Sequence, residues 1–241
     1  QLLPPQWLIP CVEALDRLVD SYGVTILLST ATQPPLPSRT KAREIIANPI
    51  SLYDRLRRTA YTLPANMARP SDWDEIAGWL KRYDQVLCIV NTRRDCYDLF
   101  RCMPEGTLHL SALMCGEHRS QVIARIKERL ASGEPLRVVS TQVVEAGVDI
   151  DFPVVFRALA GLDSIVQAAG RCNREGRLNA AGRLGEVQVF VPPKPSPRGL
   201  LRKAEDTTRA LLASGDLDPE NPHKFRRYFE LFYSRDRKSV V

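Results

Sequence analysis

Short apolar runs alternate along the chain with segments in which apolar residues recur at helical spacing. The predicted strands lie at 23–29, 86–90, 107–110, 136–139, 153–159 and 186–191. The predicted helices lie at 72–83, 94–101, 118–131 and 163–170, and a further helical pattern precedes the first run. Continuous apolar strands separated by amphipathic helices are typical of a parallel sheet buried on both faces. The pattern therefore predicts an α/β fold with helices on both faces of the sheet.

The segments that directly follow the predicted strands are rich in small polar residues. They are STATQP (29–34), NTRRD (91–95), SALMCGEHR (111–119) and STQVVEAGVDID (140–151). In such sheets ligands bind beyond the carboxyl ends of the strands. Hydroxyl and amide side chains, together with backbone N–H groups, can hold phosphates without filling the space. We therefore expect the functional surface at this edge of the sheet.

Composition limits the classes of partner but does not select one. Lys and Arg number 34 against 28 Asp and Glu, and the resulting net charge of +6 permits a polyanionic partner without requiring it. The 6 cysteines stand singly with no C-x-x-C pair, which favours reduced thiols over a zinc ribbon or a redox pair. With no membrane-length apolar run and no secretory leader, we expect a cytoplasmic protein without a membrane partner. The start at QLLPPQWL, without methionine, suggests a piece of a longer protein.

An arginine cluster lies in QAAGRCNREGR, residues 167–177. Arg171 and Arg174 are three residues apart, so at a helix end they project to one side. The planar guanidinium fork suits phosphate oxygens, but such a cluster can also satisfy the free carbonyls of a helix terminus. These residues alone leave both interpretations open.

The loop STQVVEAGVDID (140–151) places Gly147 and Asp149 shortly after a predicted strand. Gly147 allows close backbone approach or a positive φ, and Asp149 can accept a ribose hydroxyl or orient an arginine. Alone, the segment is an ordinary strand and loop. Its occurrence upstream of Q-x-x-G-R-x-x-R is difficult to explain by coincidence.

Three segments, STATQP (29–34), TQVVEAGVDID (141–151) and QAAGRCNREGR (167–177), resemble motifs III, V and VI of superfamily 2 helicases, in that order. Their particular forms, with HLSALMCGEHRSQVIARIKERL (109–130) between them, are similar to the CRISPR-associated helicase/nuclease of type I systems. The resemblance implies RecA-like lobes of the P-loop NTPase superfamily. Residues 1–50 would hold the end of the first lobe with motif III and a linker, 51–192 the second lobe, and 193–241 a linker and the start of the following region.

The resemblance also implies functions for individual residues. Arg171 and Arg174 would be arginine fingers, with Gln167 as a contact of the γ-phosphate or the attacking water. The residues that would bind ATP are Gly147, Asp149 and Gly170. Those that would couple ATP to DNA are Thr30, Ala31 and Thr32, and the contacts to the DNA backbone would be Thr141 and, less strongly, Asn91, Thr92 and Ser111.

Other helicase signatures are missing from the sequence. No Gly-Lys pair exists, so the phosphate-binding loop G-x-x-x-x-G-K-[ST] is absent. Asp74-Glu75, the one Asp-Glu pair, precedes an amphipathic pattern and indicates a helix start rather than a Mg²⁺ motif. There is no His-Asp nuclease pair, and we expect no metal site. ATP and Mg²⁺ would therefore be held mainly by motifs outside this chain, and we predict that the isolated chain is inactive.

The resemblance implies three partners: single-stranded DNA, the RNA-guided CRISPR surveillance complex and the rest of the helicase/nuclease chain. Two alternatives stay open. One is another superfamily 2 enzyme such as an RNA helicase. The forms EAGVDID and RCNREGR argue against this alternative, because an RNA helicase is expected to carry HRxGRxGR. The other is a lobe that binds nucleic acid or a partner without catalysis.

Overall fold

The computed structural model describes residues 4–30, 32, 34–35, 43–145 and 147–234. The chain divides into two compact units, one formed by Arg58–Pro197 and the other by Gln1–Arg57 together with Arg198–Val241. Among the described residues, no helix combines the length and apolar character needed to cross a bilayer.

The larger unit is built on a 6-stranded sheet in which every neighbouring pair of strands is parallel. The strands are β1 Thr59–Thr62, β2 Gln85–Ile89, β3 Leu108–Leu110, β4 Leu136–Ser140, β5 Val154–Ala158 and β6 Gly185–Phe190. Their order across the sheet is β1-β6-β5-β2-β4-β3. The predicted parallel α/β fold is therefore confirmed.

Helices of the larger unit connect these strands. They are α3 Trp73–Leu80, α4 Arg93–Cys102, α5 Gly116–Ser132, α6 Leu162–Ala169 and the short α7 Arg177–Ala180, with a 3-10 turn at Gln142–Val144. The predicted helix start at Asp74-Glu75 is confirmed, because both residues lie in the first turn of α3. The cap is Asp72, whose carboxylate accepts a hydrogen bond from the Glu75 backbone N–H at 2.7 Å.

Two apolar clusters bury the two faces of the sheet. Leu87 and Ile89 of β2 pack in one cluster with Ile126 of α5. Val86 and Cys88, which point to the opposite face, pack in the other cluster with Leu99 of α4. Both faces of β2 are thus covered, which is why its sequence is a continuous apolar run rather than an alternating one. Burying each such leucine or isoleucine contributes about 1.5–3 kcal/mol.

The predicted strand at 23–29 is wrong, because these residues form no strand in the structure. Within the part of the chain that the structure describes they pair with no strand, and Leu27 is 69% exposed. A strand needs a partner to bond its backbone N–H and C=O groups, and apolar content alone does not supply one. The sequence also failed to predict β1, a 4-residue edge strand that pairs only with β6.

The smaller unit is helical in its described residues. Its helices are α1 Pro5–Tyr22, α2 Pro49–Arg55, α8 Leu200–Ala213 and α9 Pro222–Ser234. On α9, Tyr228 stacks on Phe232, and the Lys203 ammonium of α8 lies 4.7 Å from the Phe232 ring centroid. This aromatic cluster and its cation–π contact join the two C-terminal helices.

Candidate functional site

Three of the predicted DNA contacts lie at the carboxyl edge of the sheet. Asn91, Ser111 and Thr141 follow the adjacent strands β2, β3 and β4. The Thr141 N–H donates to the Leu110 carbonyl at 3.1 Å, and the Gln142 side-chain amide donates to the Asn91 carbonyl at 2.8 Å. All three predicted residues are largely buried. The structure therefore brings them together, with only small parts of each side chain exposed to a ligand.

Thr92 begins α4, next to Asn91. Its hydroxyl accepts a hydrogen bond from the Asp95 backbone N–H at 3.0 Å, so it caps the helix. The same hydroxyl is also hydrogen-bonded to the Asp95 carboxylate, so both of its contacts serve the start of the helix. A contact from Thr92 to DNA stays a prediction.

Arg171 is clamped to the loop that follows β4. Its Nε donates to the Val144 carbonyl and its Nη2 to the Glu145 carbonyl, both at 2.7 Å. The residue is only 7% exposed. Burial, followed by the nearby charge of Arg174, lowers the pKa of the Arg171 guanidinium, which nevertheless stays charged at neutral pH. Arg171 thus ties the helicase-like segments 140–151 and 167–177 together through the main chain.

Arg174, in contrast to Arg171, has an exposed side chain. Its Nε lies 2.8 Å from Asp149 Oδ1, and the side chains are 44% and 71% exposed. Such an exposed pair contributes little stability. The same loop contains Gly147, whose φ of 73° is strained for residues with a side chain. The predicted residues Arg174, Asp149 and Gly147 therefore form one exposed surface.

Hydrogen bonds between side chains and main-chain groups fix the arginine loop, which we define as residues 170–176. Asp151 accepts hydrogen bonds from the backbone N–H groups of Arg174 at 2.6 Å and Glu175 at 3.2 Å. The side-chain amide of Asn173 donates to the Arg58 carbonyl at 2.8 Å. On the strand beneath, a Cβ at Gly185 would lie 2.6 Å from Cys172 Sγ. The main chain that carries Arg174 is therefore held from several sides.

Gln167 and Gly170 lie in the last part of α6 and at its C-cap. Gln167 is half-buried, one turn before Arg171. A Cβ at Gly170 would approach the Gln167 carbonyl oxygen to 3.2 Å, a close contact. Gly170 has helical backbone angles, and its proximity to ATP stays a prediction.

The predicted coupling residues belong to the smaller unit. The Thr32 N–H donates to Thr30 Oγ1 at 3.3 Å, and the Thr30 hydroxyl donates to the Thr32 carbonyl at 3.2 Å. Thr32 is buried, whereas Thr30 is exposed. Ala31 lies outside the described residues. The coupling function of these three residues stays a prediction.

The sequence did not point to Arg157, the largest fully buried side chain of the described residues. Its Nε lies 3.0 Å from Glu145 Oε1, and its Nη1 donates to Asn91 Oδ1 at 2.7 Å. Burial raises the pKa of Glu145, while the charge of Arg157 and a hydrogen bond from Ser164 oppose the shift. The sequence feature that could have identified Arg157 is its position as the single charged residue within the apolar run 153–159.

Binding of a nucleotide by the described residues stays a prediction. Arg174 is an accessible cation for a phosphate. No group of three or more His, Cys, Asp or Glu side chains among the described residues is arranged to hold a metal ion.

The parallel sheet, with a polar carboxyl edge and an arginine loop after α6, has a RecA-like α/β fold. Residues 82–177 match the family model described as CRISPR-associated nuclease/helicase Cas3, C-terminal. The predicted resemblance to the CRISPR-associated helicase/nuclease family is thereby confirmed, and the chain is similar to a helicase fragment of Cas3.

Two curated relatives carry the same name, CRISPR-associated nuclease/helicase Cas3. The protein of Haloferax volcanii is 40% identical over 97 residues, which cover 39% of this chain and 10% of the relative. The protein of Methanothermobacter thermautotrophicus is 30% identical over 136 residues, covering 54% and 16%. The matched region thus spans only a small part of each relative.

Solved structures agree on the fold. The crystal structure of T. fusca Cas3 has a TM-score of 0.56 at 20% identity, covering 76% of this chain and 26% of that one. Its ADP form has a TM-score of 0.54 at 21% identity, with the same coverage. At this identity the likeness concerns the fold.

Proposed function

We propose that this chain supplies the second RecA-like lobe of an ATP-dependent single-stranded DNA translocase in type I CRISPR interference. The observation that carries the proposal is the division between two arginines. Arg171 is buried on the carbonyls of Val144 and Glu145, whereas Arg174 is exposed beside Asp149. One arginine shapes the loop and the other is accessible to an anionic ligand.

The proposed domain assignment follows the helicase motifs. Residues 1–50 contain the end of the first lobe and a linker, 51–192 form the second lobe, and 193–241 begin the next region. The phosphate-binding loop and the Mg²⁺ ligands come from first-lobe motifs outside this chain. This arrangement is supported by the absence of a Gly-Lys pair from the sequence.

Phosphoryl transfer depends on positioning and on stabilisation of charge rather than on covalent chemistry. In the proposed cycle, Arg174 exchanges Asp149 for the γ-phosphate of ATP when the lobes close. Gln167 contacts the γ-phosphate or orients the attacking water, and Gly147 and Gly170 leave space for the nucleotide. Arginine fingers in GTPases raise the rate about 10³- to 10⁵-fold, which sets the scale of the effect.

ATP drives movement in this proposal because it binds the closed arrangement more tightly than the open one. Thr141, with Asn91, Thr92 and Ser111, contacts the sugar-phosphate backbone of one DNA strand. Such contacts do not depend on base sequence and weaken as salt rises. Thr30, Ala31 and Thr32 link closure to the grip on DNA.

The proposed partners are single-stranded DNA, the remainder of the helicase/nuclease chain and the RNA-guided surveillance complex that recruits it, in the cytoplasm. Support comes from the Cas3 names of the matched family and relatives.

The deciding experiment compares Arg174→Ala with Arg177→Ala in the full-length gene product. Arg177 is a matched control, since it is an exposed arginine in the same sequence segment that pairs with Glu175. We expect Arg174→Ala to remove most DNA-stimulated ATP hydrolysis and to leave single-strand affinity near normal, while Arg177→Ala changes neither. Equal loss of hydrolysis and DNA affinity in Arg174→Ala would indicate a DNA-binding or folding function instead.

The isolated chain gives a second test. We expect no nucleotide turnover above background, because it lacks a phosphate-binding loop. Turnover by the pure chain that Arg174→Ala abolishes would refute the proposal that this chain holds only half of the active site.

A further inference from the structure

A buried charged network joins the loop after β4 to the polar edge of the sheet. Arg157 lies at its centre on β5, with 0% of its surface exposed. Toward one side it pairs with Glu145, whose side chain is 8% exposed. Toward the other side it donates to Asn91, and Nη1 also donates to the Ala158 carbonyl at 2.9 Å.

Glu145 and Asn91, the two residues that contact Arg157, each make further hydrogen bonds. The Ser164 hydroxyl accepts from Arg157 Nη2 at 2.9 Å and bonds the Glu145 carboxylate at 2.8 Å. The Asn91 amide donates to the Leu159 carbonyl at 2.7 Å and to Ser196 Oγ at 3.1 Å. Both groups that face Arg157 are therefore fixed in orientation.

The network also meets the arginine loop. Arg171 binds the main-chain carbonyl of Glu145, while Arg157 binds its side chain. A continuous series of polar contacts thus runs from Arg171 through Glu145 and Arg157 to Asn91. Its first member lies in the arginine loop and its last member lies among the predicted DNA contacts.

A buried ion pair is a poor source of stability, because removing the charges from water offsets most of their attraction. Apolar residues of similar volume often serve the fold equally well. Such a pair also fixes the positions of the groups that it contacts, and here these contacts are short. Here the partners lie in two segments that the proposed function assigns to different ligands.

We propose that Arg157 is a positioning residue that makes the loop at 142–149 and the polar edge at 90–95 respond as one unit. This inference rests on the proposed function, since it assigns ATP to one segment and DNA to the other. Arg157 itself contacts neither ligand. Movement of Glu145 when Arg171 shifts is transmitted through the Arg157 guanidinium to Asn91.

The test replaces the ion pair with uncharged residues in the full-length protein, by combining Arg157→Met with Glu145→Gln. The double substitution avoids leaving an unpaired buried charge. The matched control is Arg129→Met, because the Arg129 guanidinium also bonds carbonyls, at Gly106 and Pro135, and not at the carboxyl edge. The readouts are amide hydrogen exchange by mass spectrometry and ATP hydrolysis titrated with single-stranded DNA.

We expect the double variant to exchange about tenfold faster in both 90–95 and 142–149, with β3 and β6 unchanged. The maximal stimulation of hydrolysis by DNA should fall about tenfold, while the DNA concentration at half-stimulation changes less than about threefold. The control should show neither effect.

Loss of protection in only one of the two segments, or the same pattern in Arg129→Met, would overturn the inference. So would a double variant whose maximal stimulation by DNA equals that of the wild-type protein, provided that DNA stimulates the wild-type protein. If the wild-type protein shows no DNA-stimulated hydrolysis, the proposed function fails. Hydrogen exchange alone then decides whether the two segments are coupled.

Discussion

Arg171→Ala and Arg174→Ala should differ sharply in their effect on folding, although both residues belong to the same motif. Arg171 makes two charge-assisted hydrogen bonds to the carbonyls of Val144 and Glu145, and its removal leaves both without this donor. Hydrogen bonds to charged groups contribute about 1.5–3 kcal/mol each, and partial solvation of the carbonyls reduces the sum. We expect Arg171→Ala to lower the free energy of unfolding by about 2–4 kcal/mol. For Arg174→Ala, which loses an exposed ion pair, we expect less than about 1 kcal/mol.

Urea unfolding followed by tryptophan fluorescence measures this difference. Trp73 and Trp79 both lie in α3 of the larger unit, so a Trp7→Phe background restricts the signal to that unit. Arg177→Ala is the control for loss of an exposed arginine. Free energies of unfolding of Arg171→Ala and Arg174→Ala that lie within about 0.5 kcal/mol of each other would show that the contacts of Arg171 with the two carbonyls do not stabilise the fold.

Two further predictions concern packing and pH. Gly185→Ala should destabilise the larger unit by about 1–3 kcal/mol, because its Cβ would overlap Cys172 Sγ; the same urea titration checks this, and unchanged stability would contradict the close packing. Burial, followed by the charge of His118, lowers the pKa of His109. Because the folded protein favours the neutral imidazole, the contribution of His109 to stability is complete above its ordinary pKa of about 6.5. This contribution is lost as the pH falls through the lowered pKa of the folded protein. His109→Gln should reduce the drop in melting temperature between about pH 7.5 and about pH 5.5, and an equal drop in both proteins would exclude His109 as a cause.

The sheet was predictable where both faces of a strand are buried. The run at β2 is continuously apolar over 86–89, and the runs at β4 and β5 are each interrupted by one arginine. These strands are mostly apolar because side chains pack against both faces of the sheet, and the sequence carries that signal directly. Residues 23–29 carry the same signal but pair with no strand among the described residues. Strand formation depends on a partner elsewhere in the chain, and local composition does not encode that partner.

For the candidate site, the sequence predicted where the residues lie but not which groups their side chains contact. Parallel topology places Asn91, Ser111 and Thr141 at one edge, and the structure does so. Which group each guanidinium contacts was not predictable, because a fork of donors fits a phosphate or a carbonyl equally well. Of the two interpretations of the arginine cluster, Arg171 takes carbonyl partners, which belong to the loop after β4 rather than to its own helix.

The two arginines that hold Glu145 place different demands on the sequence. Arg171 binds main-chain oxygens, which any residue at 144 or 145 would provide, so this contact tolerates exchange of side chains in the turn. Arg157 binds the carboxylate and therefore requires an acid at 145. Variants of this loop can thus diversify the side chains at its surface without losing the arginine clamp, while position 145 can change only together with position 157.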